Sequence, residues 1–345
     1  MTGSSRWIAA AVLPLLLGLG VPSVADAAPH AKVEFKIATL APDGSSWMRV
    51  MDQLDAEIRA KTNNEAGLKV YAGGVQGDES VVLKKIRAGQ LQGGGMTGVG
   101  LGEIASGLRV LEIPFTFSNI DEVHAVRDTL GPVFEQMLRD AGFELLGWSD
   151  VGLVYLFTKE PVQTTADLQR LRMWLWEGDP LAEALLKQLG VSPVPLPITD
   201  VVTSLQTGLV DGVYTSPLGC ISLQWFTRVS YMTDTPVTNA MGAVVVTRKA
   251  FEQLSPEAQA TVKELSKKYF DQLAVETNRE SAESLDVLKQ KGIQVVSLDG
   301  AAKASFAGIG EEVRAKLVGQ LYSQELLDSV MGVLAEIRSG RGATH

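Results

Sequence analysis

The stretch Arg172-Met173-Trp174-Leu175-Trp176 alternates large polar or aromatic side chains with apolar ones. On a strand, residues two apart face one side, so Arg172, Trp174 and Trp176 share a face and Met173 and Leu175 lie opposite. A guanidinium forks onto a carboxylate with two parallel charge-assisted hydrogen bonds. A tryptophan adds a broad apolar face and one N–H donor, suited to flat, aliphatic or aromatic molecules. Further along, Tyr214 and Thr215 follow Asp211-Gly212 and bring a phenol and a hydroxyl. Such groups orient a neutral polar function and would not neutralise a charged amine. These are tools for holding a molecule. A plainer reading stands beside each: Arg172 at the strand entrance pairs with solvent or a surface acid, and the tryptophans fill a core.

Signals of bond-breaking chemistry are weaker. The histidines are three, His30, His124 and His345, which supports neither a transition-metal cage nor a histidine-based triad. Cys220 is the single cysteine, so no intramolecular disulfide forms, and without a partner pattern it reads as a small buried hydrophobe. Glu177-Gly178-Asp179-Pro180 reads as a helix-start turn with Asp179 as cap rather than a calcium or general-acid site. The run Gly93-Gly94-Gly95-Met96-Thr97-Gly98 meets the GxGxxG spacing, yet no clear helical pattern follows it. Its glycines fit a strand passing close to a ligand or to neighbouring backbone. No cofactor and no metal is expected.

The elements that must position these residues alternate between strand and helix. Val33 to Ala38 alternates as a strand, and Pro42-Asp43-Gly44-Ser45 supplies turn and N-cap for a helix carrying Trp47, Met48, Met51, Leu54 and Ile58. Leu68 to Tyr71 is a second strand, followed by the Gly-rich turn Gly73 to Glu79 and a helix with Val82, Leu83 and Ile86 on one face. Gly142 to Trp148 and Leu153 to Thr158 read as two strands joined by the polar turn Ser149-Asp150. Met241 to Thr247 is a further strand, and Leu254-Ser255-Pro256-Glu257 opens a long helix with a capping serine and a proline in its first turn. The pattern is α/β.

The chain begins with a basic n-region at Arg6, an apolar core from Trp7 to Val21 broken by Pro14, and a small-residue exit at Ala25-Asp26-Ala27. That three-part order is a cleaved secretory signal peptide, residues 1–27, and the apolar run is too short to span a bilayer. The formal net charge of −9 argues against nucleic acid or an anionic membrane surface as partner. A chain of 345 residues without disulfides is large enough to build two cores, hence two lobes. The tail Ser339 to His345 is expected to fray.

Several segments together resemble the solute-binding subunits of tripartite ATP-independent periplasmic (TRAP) transporters, the dicarboxylate-binding type. They are Asp167 to Trp174; Leu189-Gly190-Val191 through Pro193 to Pro197; and Leu205-Gln206-Thr207-Gly208 to Asp211-Gly212. Gly98 to Ile104 leading to Ile113-Pro114-Phe115, Asp121 to Ala125, Asp150-Val151-Gly152 through Lys159 to Val162, and Leu254 to Gln259 follow the same order. The resemblance implies a two-lobed periplasmic binding protein of the Venus flytrap kind, with an interlobe cleft and long C-terminal helices. Its work would be to enclose one small solute and deliver it to TRAP membrane permease subunits. The lobes would be discontinuous, residues 28–150 with about 239–285 and residues 151–238 with about 286–340. The family usually grips a carboxylate with an arginine at the place where this chain has Trp174, and Tyr214 and Thr215 take a place usually acidic or amide.

Three readings of the cleft follow. Arg172 reaches a carboxylate from one pleat away; or Trp174, Trp176 and Tyr214 receive a neutral or hydrophobic solute; or the cleft is filled by side chains and the subunit binds other proteins. Thr215, and Gln76 and Thr97 from the first lobe, are expected to add contacts, with Trp148 near the hinge.

Overall fold

A computed structural model describes residues 30–340. The proposed signal peptide and most of the expected frayed tail, residues 341–345, lie outside the described residues. The strands, in chain order, are β1 (Val33–Thr39), β2 (Ala66–Tyr71), β3 (Gly93–Thr97), β4 (Phe143–Thr158), β5 (Trp174–Trp176), β6 (Val194–Leu196), β7 (Gly212–Thr215), β8 (Tyr231–Thr233), β9 (Thr238–Thr247) and β10 (Gln294–Val296). Eight of them form one curled sheet in the order β10-β8-β4-β9-β3-β1-β2, with β7 also on β4; β5 and β6 pair by themselves.

β1 is parallel to both β2 and β3, and parallel neighbours need a crossover. Helices Ser46–Lys61 and Glu79–Arg87 supply the two crossovers, each opened by the cap that its sequence offers. Ser45 accepts from the N–H of Met48, and Asp78 from that of Glu79. One face of this part of the sheet buries Phe35, Ile37 and Val244 against Met51 and Leu54 of the first helix and Val262 of helix Pro256–Gln290. The opposite face continues into a second core that includes Met96, Leu108, Phe134 and Val245.

The two long strands do the joining. β4 is one 16-residue strand rather than two strands with a turn, because antiparallel pairing with β9 carries it through Ser149-Asp150. The turn-like residues are absorbed as register shifts between Leu145 and Gly147 and between Asp150 and Gly152. Gly152 has φ of +103°, a conformation that a side chain would strain. β4 leaves β9 after the Val154–Thr238 pair and takes β7 from Tyr155 onward and β8 from Phe157.

Helix Pro256–Gln290 starts where expected, with Ser255 accepting from the N–H of Ala258. The C-terminal helices do not stay together. Helix Gly300–Leu317 packs on helix Pro180–Gln188, whereas helix Gln324–Arg338 packs on Ile120–Thr129 and on the 3-10 segment Ser106–Glu112. Arg338 seals that second contact by donating to both carboxylate oxygens of Glu122. Among the described residues no helix is long and apolar enough to cross a membrane.

Candidate functional site

Strand parity at β5 sorts as expected: Met173 and Leu175 join one core, Trp174 and Trp176 another. The Trp174 ring stacks on Tyr214 at 5.0 Å between centroids and meets Trp225 edge-on at 5.3 Å. Its Nε1–H donates to the Leu196 carbonyl at 2.9 Å, so its one polar group is satisfied within the protein. The Tyr214 hydroxyl accepts from the backbone N–H of Trp176 at 3.1 Å. Trp176 reaches across the chain: its Nε1–H donates to Asp78 Oδ1 at 3.0 Å, and Asp78 Oδ2 accepts from the N–H of Ile198 at 2.8 Å. Asp78 thus ties the β5–β6 region to the start of helix Glu79–Arg87.

These rings border a cavity of about 520 Å³, within the range of small-molecule sites. The cleft is therefore not filled by side chains. Its wall takes Thr97 and Trp47 from the β1–β3 side and Trp174, Trp176, Tyr214 and Thr215 from the other. Helix Pro180–Gln188 and the residue after it present Leu181, Leu185 and Leu189, spaced four apart on one helical face. Val154 and Leu156 of β4 complete an aliphatic section.

Charge enters this wall in a self-contained cluster. Arg109, only 3% exposed, donates from Nη2 to Asp179 Oδ1 at 2.9 Å, and its Nε lies 3.1 Å from Glu112 Oε2. Asp179 also caps helix Pro180–Gln188, accepting from the N–H groups of Leu181 and Ala182. Glu112 accepts from the N–H of Met241 at 2.8 Å, and burial raises its carboxyl above the usual range against the pull of Arg109. Gly98 makes room for this carboxylate, since a Cβ there would lie 2.1 Å from Glu112 Oε2. The short helix Gly98–Ile104, capped by Thr97, does follow the glycine run, contrary to the reading from sequence. The cap and the tertiary contact hold it despite poor propensity.

Glu79 is a third buried acid in the wall. It accepts from the N–H groups of Thr97 and Gly100, both at 2.7 Å, and from the Thr97 hydroxyl at 3.0 Å. Burial outweighs these bonds and raises its carboxyl to about 7. The Cys220 thiol, fully buried, is pushed up to about 12 by burial and is inert as a nucleophile.

Three expected site residues stand elsewhere. Arg172 precedes β5 and is exposed; its Nε and Nη2 fork onto Asp211 at 2.7 and 2.9 Å, so its guanidinium is committed outside the cavity. Gln76 lies on the Gly-rich turn with its carbonyls accepting from Lys85. Trp148 borders a different cavity of about 500 Å³, with Lys263 and Phe270, and packs edge-on to Phe134. Reading from sequence missed Trp47, Arg109, Glu112, Trp225 and Asn239 in the wall. Asp179 was seen only as a cap. Arg109 and Glu112 are three residues apart and face each other, but their further partners, Asp179 and the N–H of Met241, come from distant segments.

Residues 37–320 match the family model of the bacterial extracellular solute-binding proteins, family 7 (DctP). The chain is 24% identical over 267 residues to the 2,3-diketo-L-gulonate-binding periplasmic protein of Escherichia coli, covering 74% of this chain and 78% of that one. It is 25% identical over 295 residues to the ectoine/5-hydroxyectoine-binding periplasmic protein of Ruegeria pomeroyi, covering 84% of each. In fold it is similar to a TRAP periplasmic solute-binding protein of Xanthobacter autotrophicus with bound β-D-galacturonate, at a TM-score of 0.81 and 19% identity over 87% of this chain and 99% of that one. A Bordetella pertussis extracytoplasmic solute receptor binding pyroglutamic acid gives a TM-score of 0.80 at 20% identity, over 88% and 99%.

Proposed function

Since the chain belongs to the family 7 bacterial extracellular solute-binding proteins, we propose that it encloses an uncharged, mainly apolar solute in the Trp174–Tyr214 cavity. It acts in the periplasm, reached through the N-terminal signal peptide, and delivers the solute to TRAP-type membrane permease subunits. One observation carries the choice of solute: among the described residues, the buried cation that borders the cavity already faces two carboxylates. Two arginines border it. Arg49 is exposed and donates to the Gly44 carbonyl, and Arg109 faces two carboxylates, Asp179 and Glu112. Burying an anion without a partner is costly, whereas an apolar body gains from leaving water.

The lobe boundary falls where β4 changes partners, after Val154. Lobe I then takes residues 30–154, about 238–285 and the last helix, and lobe II takes most of the rest. Asp78 and Arg109 on one side, with Trp176, Ile198 and Asp179 on the other, are the contacts made on closing. Hinge closure of this kind buries both walls against the ligand.

The test is mass spectrometry of small molecules released by organic extraction from the purified protein, followed by add-back and thermal melting. Recovery of neutral, apolar compounds that raise Tm is expected. A uronate or dicarboxylate that raises Tm would overturn the reading and call for a rearranged Arg109.

A further inference from the structure

Asn239 is a buried amide with nothing to bind. It is 2% exposed, stands in the cavity wall, and neither Oδ1 nor Nδ2 has a hydrogen-bond partner. Native proteins leave few such groups unpaired, and each one calls for a reason. Several neighbours in the wall are matched: the Thr238 hydroxyl donates to the Glu112 carbonyl, Glu79 is held by Thr97 and Gly100, and Asp179 by Arg109, whose Nε lies 3.1 Å from Glu112 Oε2 without a hydrogen bond. Asn239 lies on β9 opposite Leu153 of β4, in the stretch before β3 begins to pair at Gly242. That is where the long strands pass from one part of the sheet to the other.

We propose that Asn239 is the polar anchor of the solute and fixes its class as an apolar body bearing one uncharged donor–acceptor group. An amide, a lactam or a hydroxyl beside a carbonyl would meet both atoms at once. A carboxylate would suit Nδ2 and set a negative oxygen against Oδ1; an ammonium would fail in the opposite sense. The aliphatic section formed by Leu181, Leu185, Val154 and Leu156 receives the rest of the molecule. Asn239 has so little exposure that the group it binds must pack directly against it. This inference rests on the uncharged-solute reading above and narrows it.

Three probes of similar size separate the possibilities: octanamide, which donates and accepts; 2-nonanone, which only accepts; and octanoate, which is charged. Binding is followed by the fluorescence of the tryptophans in the wall. In the unmodified protein octanamide should bind about fivefold more tightly than 2-nonanone, the worth of the one neutral hydrogen bond it adds by donating to Oδ1. Asn239→Leu should remove that preference, weakening 2-nonanone only by the one bond its carbonyl accepts from Nδ2 and octanamide by more, and should not lower the Tm of the unliganded protein, because it deletes two unpaired polar atoms. Asn239→Ala, which removes both the donor and the acceptor, should abolish the preference as well, and it serves if the leucine variant fails to fold. Equal binding of amide and ketone, or a preference surviving both substitutions, overturns the role of Asn239 while leaving the apolar reading intact. Tightest binding by octanoate, or no binding by either neutral probe, overturns the uncharged reading and this inference with it.

Discussion

Two arginine–carboxylate pairs flank β5, and they teach opposite lessons. Arg172 and Asp211 make a forked pair at the surface, with the Arg172 side chain 57% exposed. Arg109 with Asp179 and Glu112 makes a buried cluster in which every side chain is at most 5% exposed. The surface pair sits beside the segment that suggests ligand capture, but water competes for it and the cavity lies elsewhere. The buried cluster sits in the cavity wall, where its one cation faces two carboxylates. The arginine that is easy to find in the sequence is forked onto a surface carboxylate, and the arginine in the cavity wall faces two buried ones.

The largest effect should come from breaking the buried cluster. Arg109→Leu leaves Asp179 and Glu112 facing each other without a cation, and a loss of about 3–5 kcal/mol in denaturant unfolding is expected. Adding Asp179→Asn and Glu112→Gln should recover most of that loss, since a removed cluster costs far less than a broken one. If Arg109→Leu were as mild as a surface substitution, the contrast between the two arginines would fall.

Next comes Glu79, whose carboxyl is raised from the ordinary 4.5 to about 7 by burial. Folding favours its protonated form. Its contribution is therefore fully present below about pH 4.5 and is lost as pH rises through about 7, a change on the order of 3 kcal/mol. Glu79→Gln should flatten the pH dependence of unfolding in that window, and an unchanged slope would show that the carboxyl is not desolvated as the geometry requires.

Local rules carried the reading of the sequence wherever the cause was local. Ser45 and Ser255 cap the helices predicted for them, and Asp179 caps its own. The split of Trp174 and Trp176 from Met173 and Leu175 follows from the period of two. The misreadings had distant causes. Ser149-Asp150 is turn chemistry by composition, yet pairing with β9 keeps it in a strand. Gly98–Ile104 is a poor helix by propensity, yet Thr97 and Glu112 give it a cap and a reason for its first glycine. Arg109 meets Asp179 from 70 positions away, a distance over which no spacing rule speaks. The exposure of Arg172, two residues from a fully packed tryptophan, was likewise decided by Asp211.

A smaller effect is expected at the tie between the two sides. Trp176→Phe removes the Nε1–H donor to Asp78 and keeps most of the ring. Asp78 retains the N–H groups of Ile198 and Glu79, so the loss should be about 1–2 kcal/mol. If the tie belongs to the closed state, that loss appears in solute affinity and in the Tm of the loaded protein more than in the empty one. An equal drop in both would make it part of the fold alone.

The smallest effect is the most discriminating. Arg172→Ala removes the residue that its place in sequence marks for carboxylate capture, and the structure predicts that retained solute and probe affinities stay as they are. Asp211, held below its usual carboxylate range first by the Arg172 hydrogen bonds, would lose that partner. Whatever that pairing contributes is present above the ordinary carboxylate range and vanishes as pH falls through the lowered value, so the unmodified protein and Arg172→Ala should converge in stability in acid. At neutral pH an exposed pair of this kind contributes little. Loss of solute binding in Arg172→Ala with the fold intact would reverse the comparison, placing the working cation at the surface and requiring Asp211 to release it as the solute arrives.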